Sequence, residues 1–209
     1  MWPDQWAVVA ESDRDRWDFE PLERVGPLRF GMSLEEAVAA MGAGGFVSET
    51  SAIHNFGPFE QVRAKFRKAT ATGFLWGREV EATAAFWRTD VAAYFVDSIG
   101  LTCVVVDALT GPQVTVEGIR LIGRRPSELA DEITAHQEKH GGDISFTPEA
   151  DISHPDWGML PRAQRAGDVL LTRGVFGRPN SWANTMFDCI PADEWVGHRA
   201  IGSVGWHSS

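Results

Sequence analysis

Histidine, cysteine and carboxylate side chains at short spacing are the residues in this chain with the means to do chemistry. His136 and His140 lie four apart, a spacing that on a helix offers two imidazoles to one metal ion. In His136-Gln137-Glu138-Lys139-His140 the carboxylate falls one place later than a zinc-protease helix requires. Two partly buried imidazoles facing the negative end of a helix are the alternative. Asp151, His154 and Asp156 crowd one stretch, and His198 lies nearer the carboxyl end; together they are the raw material of a hydrolytic or metal-assisted centre. Pro155 and Gly158 fit equally a turn whose polar side chains tie down their own backbone. Cys189 beside Asp188, with His198 further on, has the residue types of a thiol nucleophile and its base, although sequence neighbours need not be spatial partners. Gly42-Ala43-Gly44-Gly45 follows a predicted helix, whereas a phosphate loop precedes one. Neither G-x-x-x-x-G-K-[ST] nor G-x-S-x-G occurs. The sequence therefore assigns no catalytic residue, no metal and no cofactor.

Composition narrows the partners. A net charge of −10 repels the phosphates that dominate duplex nucleic-acid affinity. The local reversal of sign is Arg63, Lys65, Arg67 and Lys68, a solvated strand face or a seat for an acidic partner or single-stranded RNA. At 44% apolar and 23% charged residues, the chain has the balance of a folded protein. Two cysteines do not make a disulfide framework. No basic leader precedes an apolar core at the amino terminus and no run is apolar enough to span a bilayer, so a cytoplasmic location without membrane attachment is the expectation. Nine Trp and twelve Phe accompany a single Tyr. Trp76, Phe86 and Trp87 fall in strand-like stretches, where they would line an aromatic small-ligand pocket or fill the core; Trp157 and Trp182 sit among Pro, Gly, Asp and Asn, where exposed rings serve binding.

The elements that must position these residues follow from periodicity. Residues 1–24 read as an amino-terminal arm or edge strand. From Val25, a short strand turns at glycine into a helix opened by Ser33 and Glu36 as a capping box, striped by Leu34, Ala37, Val38 and Met41, and stopped at Gly42. Val62–Arg67, Phe74–Trp76, Val80–Trp87, Val91–Val96 and Leu101–Val106 predict an antiparallel meander turning at Ser98-Ile99-Gly100. Val116 to Gly123 can be laid on Val25 to Gly31 so that Leu28 meets Ile119, Arg29 meets Arg120 and Phe30 meets Leu121. Pro126 then opens a second helix that ends near Gly141-Gly142, and Asp168–Phe176 reads as a strand. The expected fold is α+β, an antiparallel sheet with helices on one face. Two degenerate helix-on-sheet units, 25–112 and 113–209, would share one compact domain.

Phe30-Gly31-Met32-Ser33-Leu34-Glu35-Glu36-Ala37, within residues 26–42, resembles the phrase F-G-M-[ST]-x-x-[EQ]-[VA]. That phrase opens a helix in α+β proteins of the beta-lactamase-inhibitory-protein and outer-membrane-assembly-lipoprotein type, and the segment also looks like uncharacterised bacterial immunity-type proteins. The resemblance implies a helix-on-sheet tandem that binds another protein and supplies no catalytic residue to carry over. The chain lacks the secretion signal, lipid-attachment cysteine and paired disulfides of the secreted members, which turns the expectation toward an intracellular inhibitor.

The function expected is thus non-catalytic: a cytoplasmic immunity or inhibitor protein that blocks a basic toxin, with opposite fields speeding the encounter. Trp157 and Trp182 would be its anchors, and Asp151, Asp156, Asp188, Asp193 and Glu194 its charged rim. A small hydrolase built on Asp151, His154, Asp156 and His198 is the alternative, and an aromatic-lined ligand pocket the second.

Overall fold

The computed structural model describes residues 6–53, 61–68, 73–75, 78–80, 89–179, 183 and 185–195, with the backbone alone for 73–75, 78–80 and 193. In chain order, β1 (Arg16–Glu20) and the hairpin of β2 (Arg24–Val25) and β3 (Leu28–Arg29) lead into α1 (Leu34–Ala43). Then come β4 (Phe46–Ile53), β5 (Gln61–Lys68), β6 (Gly73–Leu75), β7 (Arg78–Val80), β8 (Val91–Val96) and β9 (Gly100–Val106). A second hairpin, β10 (Gln113–Val116) with β11 (Ile119–Arg120), leads into α2 (Pro126–His140). β12 (Ser145–Phe146), β13 (Ile152–Ser153), β14 (Met159–Ala166), β15 (Val169–Gly177) and the four-residue α3 (Ala192–Trp195) complete the described chain.

The fold is α+β. Six antiparallel strands in the order β14-β15-β9-β8-β5-β4 make the main sheet, and β11-β10-β1-β2-β3 a smaller one. Both chain halves contribute strands to the main sheet. Phe66, Val91, Ala93, Val104, Val106 and Phe176 on one sheet face pack with Ala37 and Met41 of α1 and Leu129 and Ile133 of α2. The apolar stripes at helical spacing in α1 and α2 exist because that face must be covered.

Three local outcomes differ from the periodicity. The segment expected as an arm or edge strand holds β1, the middle strand of the smaller sheet: it pairs antiparallel with β2 and parallel with β10. Trp17 and Phe19 alternate inward along it. Arg14 fixes its approach, its Nη1 donating to Gly111 O at 2.6 Å and its Nη2 to Ala108 O and Leu109 O. Secondly, α1 begins at the capping box as expected, with Ser33 Oγ accepting from Glu36 N and Glu36 Oε2 from Ser33 N, but passes through Gly42 to a cap at Gly44. Thirdly, the main sheet is covered on its second face too, by Met186, Ile190, Phe187 and Trp195 packing on Ala92, Tyr94, Cys103, Val105, Leu160 and Val175. Cover on both faces explains why β8 is buried throughout instead of alternating.

The alignment of Leu28 with Ile119 has a structural counterpart. Val25 pairs with Leu28 across one two-residue turn, and Val116 with Ile119 across another. Leu28, Ile119, Phe30 and Leu121 are buried, whereas Arg29 and Arg120 are exposed. Each hairpin is followed by a helix and later by an edge hairpin of the main sheet, β4-β5 in one half and β14-β15 in the other.

Candidate functional site

The second face of the main sheet carries charge where a sheet face under cover is ordinarily apolar. Arg162 of β14 and Arg173 of β15 are cross-strand neighbours, and both are buried. They share a face with Leu160 and Val175, because side chains two apart on a strand point the same way. Tyr94 of β8 lies on that face opposite Arg63 of β5. From the covering segment, α3 lowers Glu194 between them. Its carboxylate accepts a short hydrogen bond from the Tyr94 hydroxyl at one oxygen and a 2.5 Å bond from Arg173 Nη2 at the other. Its backbone oxygen accepts from Arg162 Nη1 at 2.5 Å. Arg162 Nε reaches Asp151 Oδ2 at 3.4 Å, and the Arg162 guanidinium lies 5.1 Å from the centre of the Trp195 ring. Arg173 has two further nitrogens, Nε and Nη1, that are buried and without a partner among the described residues.

Electrostatics keep the neutral groups of this cluster neutral. Burial, reinforced by the Glu194 charge, pushes the Tyr94 hydroxyl above its ordinary range, so it stays a donor. Burial likewise pushes the Cys103 thiol well up, and the Cys189 thiol up to about 12. A thiol held protonated is a poor nucleophile. Cys189 Sγ donates to Arg178 O at 3.0 Å, while Asp188 turns away to accept from Thr185 N and Oγ1. His198, the base that the sequence set beside this thiol, lies outside the described residues.

The other residues singled out by the sequence are distributed as follows. Asp151 and Glu194, expected in an exposed rim, are buried at 5% and 6% exposure, because each has an arginine partner inside. Asp156 and Asp188 are exposed, Asp156 Oδ2 accepting from Asp143 N. Trp157, expected as an exposed anchor, is half-buried: its ring stacks on His154 at 4.0 Å and meets the edge of His136. Trp182, Trp76, Phe86, Trp87 and the Asp193 side chain lie outside what is described. His154 faces Trp157 and the Gln137 side-chain amide, and Asp151 faces Arg162, so these members of the expected hydrolytic set do not converge. His136 and His140 stack on each other at 4.4 Å, and His136 Nε2 is 2.7 Å from Glu117 Oε2. Among the described residues no three His, Cys, Asp or Glu side chains are grouped to hold a metal ion, and no helix is long and apolar enough to cross a membrane.

His154 gives a pH prediction. Burial lowers its pKa, with Asp156 and Glu117 opposing. The unfolded chain then binds the proton more readily than the folded one. The contribution of this group to stability is full above the unfolded value of about 6.5 and is lost as pH falls from there toward the depressed folded value. Urea unfolding between about pH 7.5 and 5.5 is expected to show a smaller loss of stability in His154→Asn than in the unsubstituted chain. An equal or larger loss in the variant would contradict this account.

Sequence reasoning missed Tyr94, Arg162 and Arg173. Two signals were present: the single Tyr of a chain rich in Phe and Trp, and an arginine inside the otherwise apolar and small run Leu170-Leu171-Thr172-Arg173-Gly174-Val175-Phe176. The surface offers one further element. β4 is an eight-residue edge strand, with Ser48, Glu49, Thr50 and Ala52 exposed and no described strand on its outer side. No protein-family model matches this chain, and neither a curated protein nor a solved structure matches it.

Proposed function

We propose that this chain is a non-catalytic protein-binding protein, working as a cytoplasmic bacterial immunity or inhibitor protein that blocks a basic toxin. The observation that carries the reading is the edge of β4, which no strand among the described residues pairs on its outer side. Edge strands are ordinarily blunted by lysine, proline, a bulge or a covering element, since their unpaired backbone groups recruit other chains. Along Phe46–Ile53 the charge is confined to Glu49, no proline interrupts, and the pairing with β5 runs without a bulge from Phe46 opposite Lys68 to Ile53 opposite Gln61. An extended partner segment can add there by main-chain hydrogen bonding. The −10 net charge favours a basic partner and speeds its approach at low salt.

The test compares capture from host lysate by the tagged chain and by the double variant Ser48→Lys, Thr50→Lys, with mass spectrometry and metal analysis of what is retained. Both positions are exposed, so unfolding is expected to move by less than about 0.5 kcal/mol. Retention of a basic protein partner is expected to fall by about tenfold or more, equivalent to at least 1.4 kcal/mol. A partner held equally by both chains would remove β4 from the interface. Recovery without a partner but with about one equivalent of transition metal would overturn the binding-protein reading.

A further inference from the structure

The arginine pair on the second sheet face is matched in charge by Asp151 and Glu194 but is short of hydrogen-bond acceptors. Directly opposed like charges on neighbouring strands are destabilising. In a covered site, each guanidinium needs an anion and hydrogen-bond acceptors. Arg162 has them in Asp151 Oδ2 and Glu194 O. Arg173, with its side chain 6% exposed, meets one carboxylate oxygen through Nη2, while its Nε and Nη1 are buried without a partner among the described residues. That leaves three of the five N–H donors of a planar fork unused, in a group suited to bidentate capture of a carboxylate or phosphate. The Tyr94 hydroxyl adds a donor from two strands away, also aimed at the Glu194 carboxylate.

We infer that the face bounded by Arg162, Arg173 and Tyr94 is a binding site for the oxyanion group of a small ligand, and that the Glu194 carboxylate is its resident stand-in. The plug is built to come away. α3 has four residues, too few to hold a helix alone; it meets the sheet through Glu194 and through Trp195 against Arg162, and meets Phe187 of the same covering segment through Trp195. Such a segment can open locally while the strands beneath it stay folded. An incoming anion would take the bonds of Tyr94 and Arg173 Nη2 and add those of Arg173 Nε or Nη1, which Glu194 leaves unused. This inference is independent of partner docking at β4, which is on another strand, and the two fail separately.

The test is titration of the full chain with inorganic phosphate and with acetate at constant ionic strength, read by calorimetry and thermal unfolding. E194Q, E194A and the double variant E194A with R173M are compared with the unsubstituted chain. A tethered carboxylate competes at an effective concentration in the millimolar range, so E194Q or E194A is expected to bind one of the anions saturably and at least about tenfold more tightly than the unsubstituted chain. Adding R173M is expected to abolish that binding. Preference for phosphate assigns a phosphorylated ligand, and preference for acetate a carboxylate ligand. Folded E194Q that gains no affinity for either anion overturns the inference, and so does binding that survives R173M. Should both Glu194 variants fail to fold, amide hydrogen exchange of the unsubstituted chain decides. Phosphate is then expected to raise exchange across residues 185–195 relative to chloride, and unchanged exchange overturns the proposal.

Discussion

Glu194→Ala is expected to lower the stability of this chain by about 3–5 kcal/mol, the range for removing one member of a buried ion pair. The carboxylate is 7% exposed and Arg173 6%, so water cannot take over the lost bond. The substitution leaves an uncompensated guanidinium beside a second one, and leaves the buried Tyr94 hydroxyl without its acceptor. For a chain of this length the thermal midpoint should fall by roughly 6–20 °C. Most of that cost comes from the orphaned partner, which a double variant makes visible: Arg173→Met together with Glu194→Ala should recover about 1–3 kcal/mol of the single variant's loss. Urea unfolding of the four chains of this cycle is the measurement. Additive losses would mean that Glu194 and Arg173 do not stabilise the fold as a pair.

That pair also shows where the sequence ceases to be readable. A carboxylate in a stretch rich in Pro, Asp and Trp reads as solvent-facing, which is why the sequence puts Glu194 on a surface rim. Its partners come from β8, β14 and β15, and no local pattern announces a contact made across the sheet. The arginines themselves hid a strand. Met159-Leu160-Pro161-Arg162-Ala163-Gln164-Arg165-Ala166 has neither clean alternation nor freedom from proline, yet it is β14, fully paired with β15. Proline is admissible there because β14 is an edge strand, and Arg162 can face inward because Glu194 and Asp151 meet it.

Where structure is local, the reading held. The capping box at Ser33 and Glu36 and the proline that opens α2 depend on neighbours within one or two turns, and each stands where expected. Val62 to Arg67 is a strand as expected, but Arg63, Lys65 and Arg67 are half-buried and not solvated, because the face they share lies under the covering segment. Leu28 and Ile119 each follow a two-residue turn in hairpins with the same inward and outward pattern. Gly42 misled because glycine is a helix stop only where the backbone must turn left-handed. In α1 the chain continues helically through it, and a methyl group there would meet nothing within 4 Å.

Gly100 is the opposite case, and Gly100→Ala is expected to cost about 3–5 kcal/mol, at the level of the most damaging single substitutions. Its φ of +87° is strained for any L side chain. A Cβ would lie 2.4 Å from Gly31 O and 2.6 Å from Met32 O, both backbone atoms that cannot swing aside. The close approach is enforced by paired bonds, Gly31 N to Leu101 O at 2.8 Å and Leu101 N to Met32 O at 2.9 Å. These bonds pin the corner between β3 and α1 onto the β8-β9 hairpin, and so hold α1 and the β4 edge that follows it against the main sheet. Gly42→Ala is the matched control, expected to gain about 0.5–1 kcal/mol from helix propensity and a less flexible unfolded chain. Denaturant unfolding of both variants separates the two roles of glycine, and similar stabilities for the two would contradict the close approach at Gly100. The same corner distinguishes two ways of losing a partner at β4. Gly100→Ala should weaken binding only as far as it unfolds the edge, with the thermal midpoint falling in parallel. Charging Ser48 and Thr50 should weaken binding by about tenfold or more while the midpoint stays in place.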